Sequence, residues 1–355
     1  MRPKIHLIAP AGSCWPFLHA LELTSGEALV SVFQHAIGES FEVTGDLELI
    51  EGRETERDGG RRDDAGRAAD FQRALADDSV AAILLIRGGA WFTRILPRID
   101  FTVLRRRSGP VALFGFSELT TAVNIVGALP AGRGVYDMGP AFLTYGLKRY
   151  AGTRTDALPS SETPASRMRN QLRPELDTFL RDVAAMITGA GTRRTVAARL
   201  AAGRPPEDGA PATFVGGNLT VFSTVVGAAF DFAVNPAGKW LLLEDFNEKV
   251  ERIDRFLAHL TLARYWEECQ GILLGDFHKG YENLVEAVLA LLRFHLPAER
   301  EVPVLVTRDV GHIWPMSPLP LHVPTTLTRT DTGAYSIGWP ADALRTVPGP
   351  PSGRV

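Results

Sequence analysis

Apolar residues along this chain fall into two textures. Short runs bounded by glycine or proline read as buried strands of the kind used in parallel sheets: Ile5-His6-Leu7-Ile8-Ala9-Pro10, Ile83-Leu84-Leu85-Ile86, Pro110-Val111-Ala112-Leu113-Phe114, Trp240-Leu241-Leu242-Leu243 and Pro303-Val304-Leu305-Val306. Elsewhere the apolar spacing is three and four residues, which predicts helices. These are Asp63 to Ala76, with Ala65, Ala68, Ala69, Phe71 and Leu75 on one face, Leu119 to Ala128, Leu172 to Ile187, a stretch near Thr195 to Ala202, and Glu248 to about Glu267. In the last of these, Ile253, Phe256, Leu257 and Leu260 form a core-facing stripe.

The alternation of the two textures predicts an α/β fold. Residues 1–149 form a Rossmann-like parallel-sheet domain, 150–171 a linker rich in Thr, Ser, Pro and Ala, and 172–344 a second α/β domain. The tail at 345–355, with Pro348-Gly349-Pro350-Pro351-Ser352-Gly353, reads as disordered.

The candidate chemistry sits at strand ends, where open α/β sheets gather functional groups. Ser117, in Phe114-Gly115-Phe116-Ser117-Glu118-Leu119-Thr120, stands where a buried strand turns directly into a helix. There a hydroxyl is pushed out of the sheet beside backbone N–H groups able to hold an oxyanion. A serine at that place is also a preferred helix N-cap. Two later strands end in Glu244-Asp245 and in Thr307-Arg308-Asp309-Val310-Gly311-His312, supplying an acid and a base in the order Ser, acid, His. Asp245 rivals Glu244 for the acid, and Glu244 has Arg252 and Arg255 as alternative ion-pair partners. The G-x-S-x-G of α/β-hydrolases is absent, since Leu119 stands at the second glycine.

Together, Arg87-Gly88-Gly89, Gly115-Phe116-Ser117-Glu118-Leu119-Thr120, Gly216-Gly217-Asn218-Leu219, Leu243-Glu244-Asp245, Arg252-Ile253-Asp254-Arg255, Gly311-His312 and Leu319-Pro320-Leu321 resemble, in order, the pattern of the L,D-carboxypeptidases. This is the serine peptidase family of murein tetrapeptide carboxypeptidases and microcin C immunity hydrolases, and the resemblance runs from about Ile5 to about Leu327. It implies Ser117 as nucleophile, His312 as general base and then acid, and Glu244 as the carboxylate that orients the imidazole. It further implies a cofactor-free enzyme with its active site in the cleft between the domains, acting on a muropeptide or other small peptide-like substrate, and a homodimer. The oxyanion and substrate-binding candidates are backbone N–H groups of Gly88, Gly89 and Glu118, with Arg87 and Arg94 as candidates for reading a terminal carboxylate.

The chain departs from the family pattern at Trp91 after the double glycine, at Met138 where a histidine precedes Gly139-Pro140, and at His322 in place of a glycine. These positions are expected to line the substrate pocket. They keep two alternatives open: hydrolysis of an aminoacyl-nucleotide of the microcin C type, and a catalytically silent muropeptide-binding protein.

Composition narrows the choice. A net charge of −3 gives no footprint for nucleic acid or anionic membrane, and the short run Arg105-Arg106-Arg107 reads as a solvated face. Two cysteines, Cys14 and Cys269, are far apart and fit a reducing, cytoplasmic setting. No window approaches the ~20 apolar residues of a membrane span. Triphosphate-loop, C-x-x-C and H-E-x-x-H motifs are missing, and Asp276, His278 and Glu282 are too few to make a metal site the expectation.

Overall fold

The computed structural model describes residues 2–52, 63–145, 164–192 and 195–347. The strands are β1 (Lys4–Ile8), β2 (Glu42–Gly45), β3 (Val80–Leu85), β4 (Val111–Gly115), β5 (Gly132–Tyr136), β6 (Val196–Ala202), β7 (Ala210–Asn218), β8 (Trp240–Phe246), β9 (Gly271–Lys279), β10 (Glu282–Asn283), β11 (Val304–Thr307), β12 (Leu319–Leu321), β13 (Pro324–Arg329) and β14 (Tyr335–Gly338). They form two sheets.

The first sheet has the order β12-β5-β4-β3-β1-β2, parallel from β2 through β5. That 2-1-3-4-5 order is a doubly wound α/β sheet, in which ligand sites gather beyond the carboxyl ends of the strands. Every residue of β3 and β4 is buried, as unbroken apolar runs require when helices cover both faces. The sixth strand, β12, arrives from far along the chain and pairs antiparallel with β5.

The second sheet mixes parallel and antiparallel pairs. Its order is β10-β9-β11-β6-β14-β13-β7-β8, and β8 also pairs with β9. This last pairing closes the seven strands from β9 to β8 into a ring, with the two-residue β10 hanging on β9 as a short edge. β7, β8 and β9 run parallel, so the carboxyl ends of β7 and β8 lie together.

Several local expectations change. Residues 196–202 form a strand rather than a helix. The alanines there favour helix locally, yet burial alternates, with Val196 and Ala198 inside and Ala197 and Arg199 outside, and both edges are paired. In helix Asp64–Ala76 the buried face is Arg67, Ala68, Asp70, Phe71, Ala74 and Leu75, while Ala65 and Ala69 face solvent. Arg67 is inside because its guanidinium binds Asp63, Asp64 and the carbonyls of Pro10 and Trp91. Arg107 likewise leaves the solvated face: its side chain is buried and donates to the carbonyls of Leu75, Asp77, Val80 and Gly109. Part of the linker, from Pro164, is the first stretch of helix Pro164–Thr188; proline suits a first helical turn. Linker residues 150–163 and tail residues 348–355 lie outside the described residues. Within 345–347 the backbone N–H groups of Thr346 and Val347 bond to the carbonyl of Ile187.

Candidate active site

Ser117 follows β4 after a single residue and holds φ +54°, a left-handed conformation costly for a serine. The turn is locked on both sides. Thr120 Oγ1 donates to the Ser117 carbonyl at 2.6 Å, and a 3-10 turn, Ser117–Leu119, leads into helix Thr120–Gly127. A backbone forced this way aims the side chain outward from the strand end.

His312 and Glu244 reach this serine from the second sheet. His312 Nε2 lies 3.0 Å from Ser117 Oγ, and His312 Nδ1 lies 2.7 Å from Glu244 Oε2. Glu244 is fully buried and His312 nearly so. The carboxylate on the imidazole is therefore that of Glu244. Asp245, its rival in the sequence, faces the other way along β8 and accepts from the N–H and hydroxyl of Thr220, the N–H of Phe246 and the amide of Asn218. The arginine alternatives are not realised either: Arg252 pairs with Glu248, and Arg255 is exposed while Glu244 is fully buried.

Electrostatics matches the geometry. Burial pushes the Glu244 carboxyl up, but the facing imidazolium and hydrogen bonds from His312, Tyr136 and Asn218 outweigh it, leaving the group below its ordinary value. Burial pulls His312 down, and the charge and hydrogen bond of Glu244, then Asp245 and Asp276, more than compensate, raising it above 6.5. Burial and then the charge of Glu244 push Asp245 up to about 6.

The glycine turn after β3 lies against the serine. A Cβ on Gly88 would sit in ordinary contact with the nucleophile candidate, 3.4 Å from Ser117 Cβ and 3.6 Å from its Oγ, which shows how close the turn lies to the serine. The Gly88 carbonyl accepts from Gly12 N–H in the loop after β1. Arg87 reaches back to the carbonyl of Ser13 in that same loop, and Arg94 pairs with Asp64 at 2.7 Å. Glu118 offers only its backbone to the serine: its buried carboxylate turns to the N–H groups of Phe92 and Thr93. That ties the serine turn to the loop carrying Trp91.

Of the three departures, Trp91 is partly exposed beside the glycine turn, at φ +70°. Met138 is fully buried and so does not line an open pocket. His322 lies at the far end of helix Thr120–Gly127 from Ser117, packed on Gly127 and bonded to the carbonyl of Ala233. Its φ of +60° accounts for why glycine suits that position. A cavity of about 410 Å³ opens beside it, lined by Leu129, Arg133 and Val323 among others, away from the serine.

Sequence reasoning missed the groups that surround His312. Phe246 stacks on the imidazole at 4.9 Å and 14°, while Phe116 and Phe142 approach at 5.0 and 5.6 Å. The Tyr136 hydroxyl touches both Glu244 and the Ser117 N–H. Asn124 joins the sheets by exchanging two hydrogen bonds with the backbone of Gly216, at 2.8 and 2.9 Å. Two of these had a visible signal: Phe116 and Phe246 flank the serine and the Glu-Asp pair in sequence. His278 binds Asp276, Glu282 is exposed, and among the described residues no three ligating side chains cluster for a metal.

Residues 5–130 match the LD-carboxypeptidase N-terminal domain, and residues 212–327 match the LD-carboxypeptidase C-terminal domain. A Bacillus subtilis protein named "Probable murein peptide carboxypeptidase" is 26% identical over 292 residues, covering 80% of each chain. The fold is shared with the muramoyltetrapeptide carboxypeptidase of Oxalobacter formigenes, at TM-score 0.60 and 20% identity over 95% of this chain and 99% of that one. It is shared too with MccF in complex with glutamyl sulfamoyl guanosine, at TM-score 0.62 and 17% identity over 95% and 96%. With the two halves of the family matched in order, one on each sheet that contributes to the serine-centred site, the chain belongs to the LD-carboxypeptidase family.

Proposed function

We propose that this protein is a serine-type L,D-carboxypeptidase that hydrolyses the amide to a C-terminal D-amino acid, D-alanine of a murein tetrapeptide, through an acyl-enzyme. The observation that carries the reading is the unbroken chain from Ser117 Oγ through His312 to Glu244, at 3.0 and 2.7 Å. His312 takes the serine proton as Oγ attacks the scissile carbonyl, then gives it to the leaving amine. Glu244 fixes the imidazole tautomer, with the proton on Nδ1 and the lone pair toward the serine. The oxyanion is held by backbone N–H groups of Gly88, Gly89 and Glu118; the last lies in the first helical turn, where no intrahelical partner is available. Water then attacks the ester with His312 as base. Arg87 is the proposed reader of the terminal carboxylate, since it stands at the glycine turn. No cofactor enters these steps.

We also propose a cytoplasmic homodimer. Cys14 and Cys269, both buried and neither in a disulfide, support a reducing compartment, and no described helix is long and apolar enough to cross a membrane.

A second reading, hydrolysis of an aminoacyl-nucleotide, is favoured by the fold shared with MccF bound to an aminoacyl sulfamoyl nucleoside. Mass spectrometry separates the two. L-Ala-γ-D-Glu-diaminopimelate-D-Ala and an aminoacyl sulfamoyl adenosine are incubated in parallel with the enzyme and with Ser117→Ala. Loss of one alanine from the tetrapeptide by the wild type alone supports the carboxypeptidase. Cleavage of only the nucleoside supports the second reading. Binding of a muropeptide without cleavage of either would leave a silent binding protein.

A further inference from the structure

We propose that Tyr136 is a positioning residue that closes the Ser117–His312–Glu244 chain into a ring and tempers the charge Glu244 presents to the imidazole; this rests on the serine-hydrolase reading above.

The direction of each hydrogen bond follows from what each group can do. An ionised carboxylate only accepts, so the Tyr136 hydroxyl spends its one proton on Glu244 Oε1, at 2.7 Å. Its oxygen is then left to accept the Ser117 N–H, at 3.3 Å. Glu244 Oε2 faces His312 Nδ1, and His312 Nε2 faces Ser117 Oγ. The circuit runs from the serine backbone back to the serine hydroxyl. Tyr136 ends β5 of the first sheet and Glu244 stands near the end of β8 of the second, and both are fully buried. The tyrosine ring has room only because position 217 is glycine, at φ +139°: a Cβ there would stand 2.6 Å from Tyr136 Cε2.

Two consequences follow. The Ser117 N–H is already engaged, which leaves the oxyanion to Gly88, Gly89 and Glu118. Second, each hydrogen bond donated to Glu244 draws off part of its charge and weakens its hold on the imidazole proton. Tyr136 thus keeps His312 less basic than the bare carboxylate would make it. The other charged groups acting on His312 are Asp245 and Asp276, with His278 behind Phe246, and none of them touches Tyr136.

The test is the titration of the His312 ring by NMR on ligand-free protein labelled at histidine, assigned with His312→Gln. In Tyr136→Phe the His312 midpoint should move up by about half a pH unit or more. Turnover should fall about ten- to a hundredfold in kcat with KM within about twofold, as for loss of a hydrogen bond to a charged group. If the phenylalanine variant fails to fold, 3-fluorotyrosine at position 136 keeps the shape and donates more strongly, so the midpoint should move down. An unmoved midpoint in a folded variant overturns the proposal, and a fall in thermal stability with raised KM and an unmoved midpoint assigns Tyr136 to packing alone. Because the titration needs no substrate, a failure of the carboxypeptidase reading would show separately, as wild-type protein that cleaves no tetrapeptide.

Discussion

Ser117 occupies a backbone conformation that serine avoids, and the surroundings hold it there: Thr120 grips its carbonyl and Tyr136 its N–H. Strain held at one residue by many contacts suits the nucleophile role proposed for Ser117. The same residues set the pH response. In the proposed mechanism His312 must be neutral to accept the serine proton, and Glu244 raises its pKa above 6.5 despite burial. The rate of Ser117 labelling by a fluorophosphonate should therefore climb with pH through a midpoint above 6.5, whereas a midpoint below 6 would show that the carboxylate does not govern the imidazole. His312→Ala should lower turnover by on the order of 10⁴-fold or more, because groups that act as a unit fail together; it should also lower the unfolding midpoint, since the buried Glu244 carboxylate loses its partner. Ser117, Glu244 and His312 were legible in the sequence because each closes a short apolar run at a glycine or acidic corner. Tyr136, Asn124 and Phe142 were not: their partners are reached across the two sheets, and no local spacing encodes that. His322 misled, because a departure from a motif says nothing about where the residue lies.

At the scale of elements, strands that contain a short apolar run bounded by glycine or proline announced themselves, whereas the largely buried β5 and β9 did not. β3 and β4 are unbroken apolar runs and β8 opens on one, whereas β6 is rich in alanine and takes its form from β11 and β14 on either side. Helix Thr120–Gly127 carries the site's alignment. Its N-terminal end holds the serine, and Asn124 and Thr120 fasten it to β7, with Thr120 Oγ1 accepting the Asn218 N–H at 3.1 Å. Replacing Asn124 by alanine strands the buried N–H and carbonyl of Gly216. Urea denaturation should then show a loss of about 2–4 kcal/mol. Since the docking also fixes Ser117 against His312, kcat should fall further than the loss of stability alone would cause. A variant with wild-type stability and turnover would show that this contact neither anchors the helix nor aligns the site.

Across the whole molecule, neither sheet holds a complete site. The serine and the glycine turn come from the first sheet, and Glu244 and His312 from the second, while β12 returns to the edge of the first sheet and binds the two together. His322, next to β12, reports on that junction. Burial, helped by the charge of Lys239, lowers its pKa from 6.5 to about 4. The unfolded chain therefore binds a proton near 6.5 that the folded protein refuses until about 4. This contribution to stability is complete above 6.5 and is lost as pH falls, amounting to about 3 kcal/mol by pH 4. His322→Gln keeps a donor for the Ala233 carbonyl and should flatten stability between pH 6.5 and 4 in urea titrations; an unchanged slope would assign the acid sensitivity elsewhere.

In the proposed mechanism Ser117 becomes covalently acylated by a substrate held between the two sheets. Rapid-quench intact-mass spectrometry during tetrapeptide turnover tests it most directly. A transient adduct with the mass of the tripeptide acyl group is expected, mapped by proteolysis to Ser117, formed at a rate no slower than kcat and absent from Ser117→Ala. Alanine release with no adduct, at a rate that Ser117→Ala retains, would contradict it.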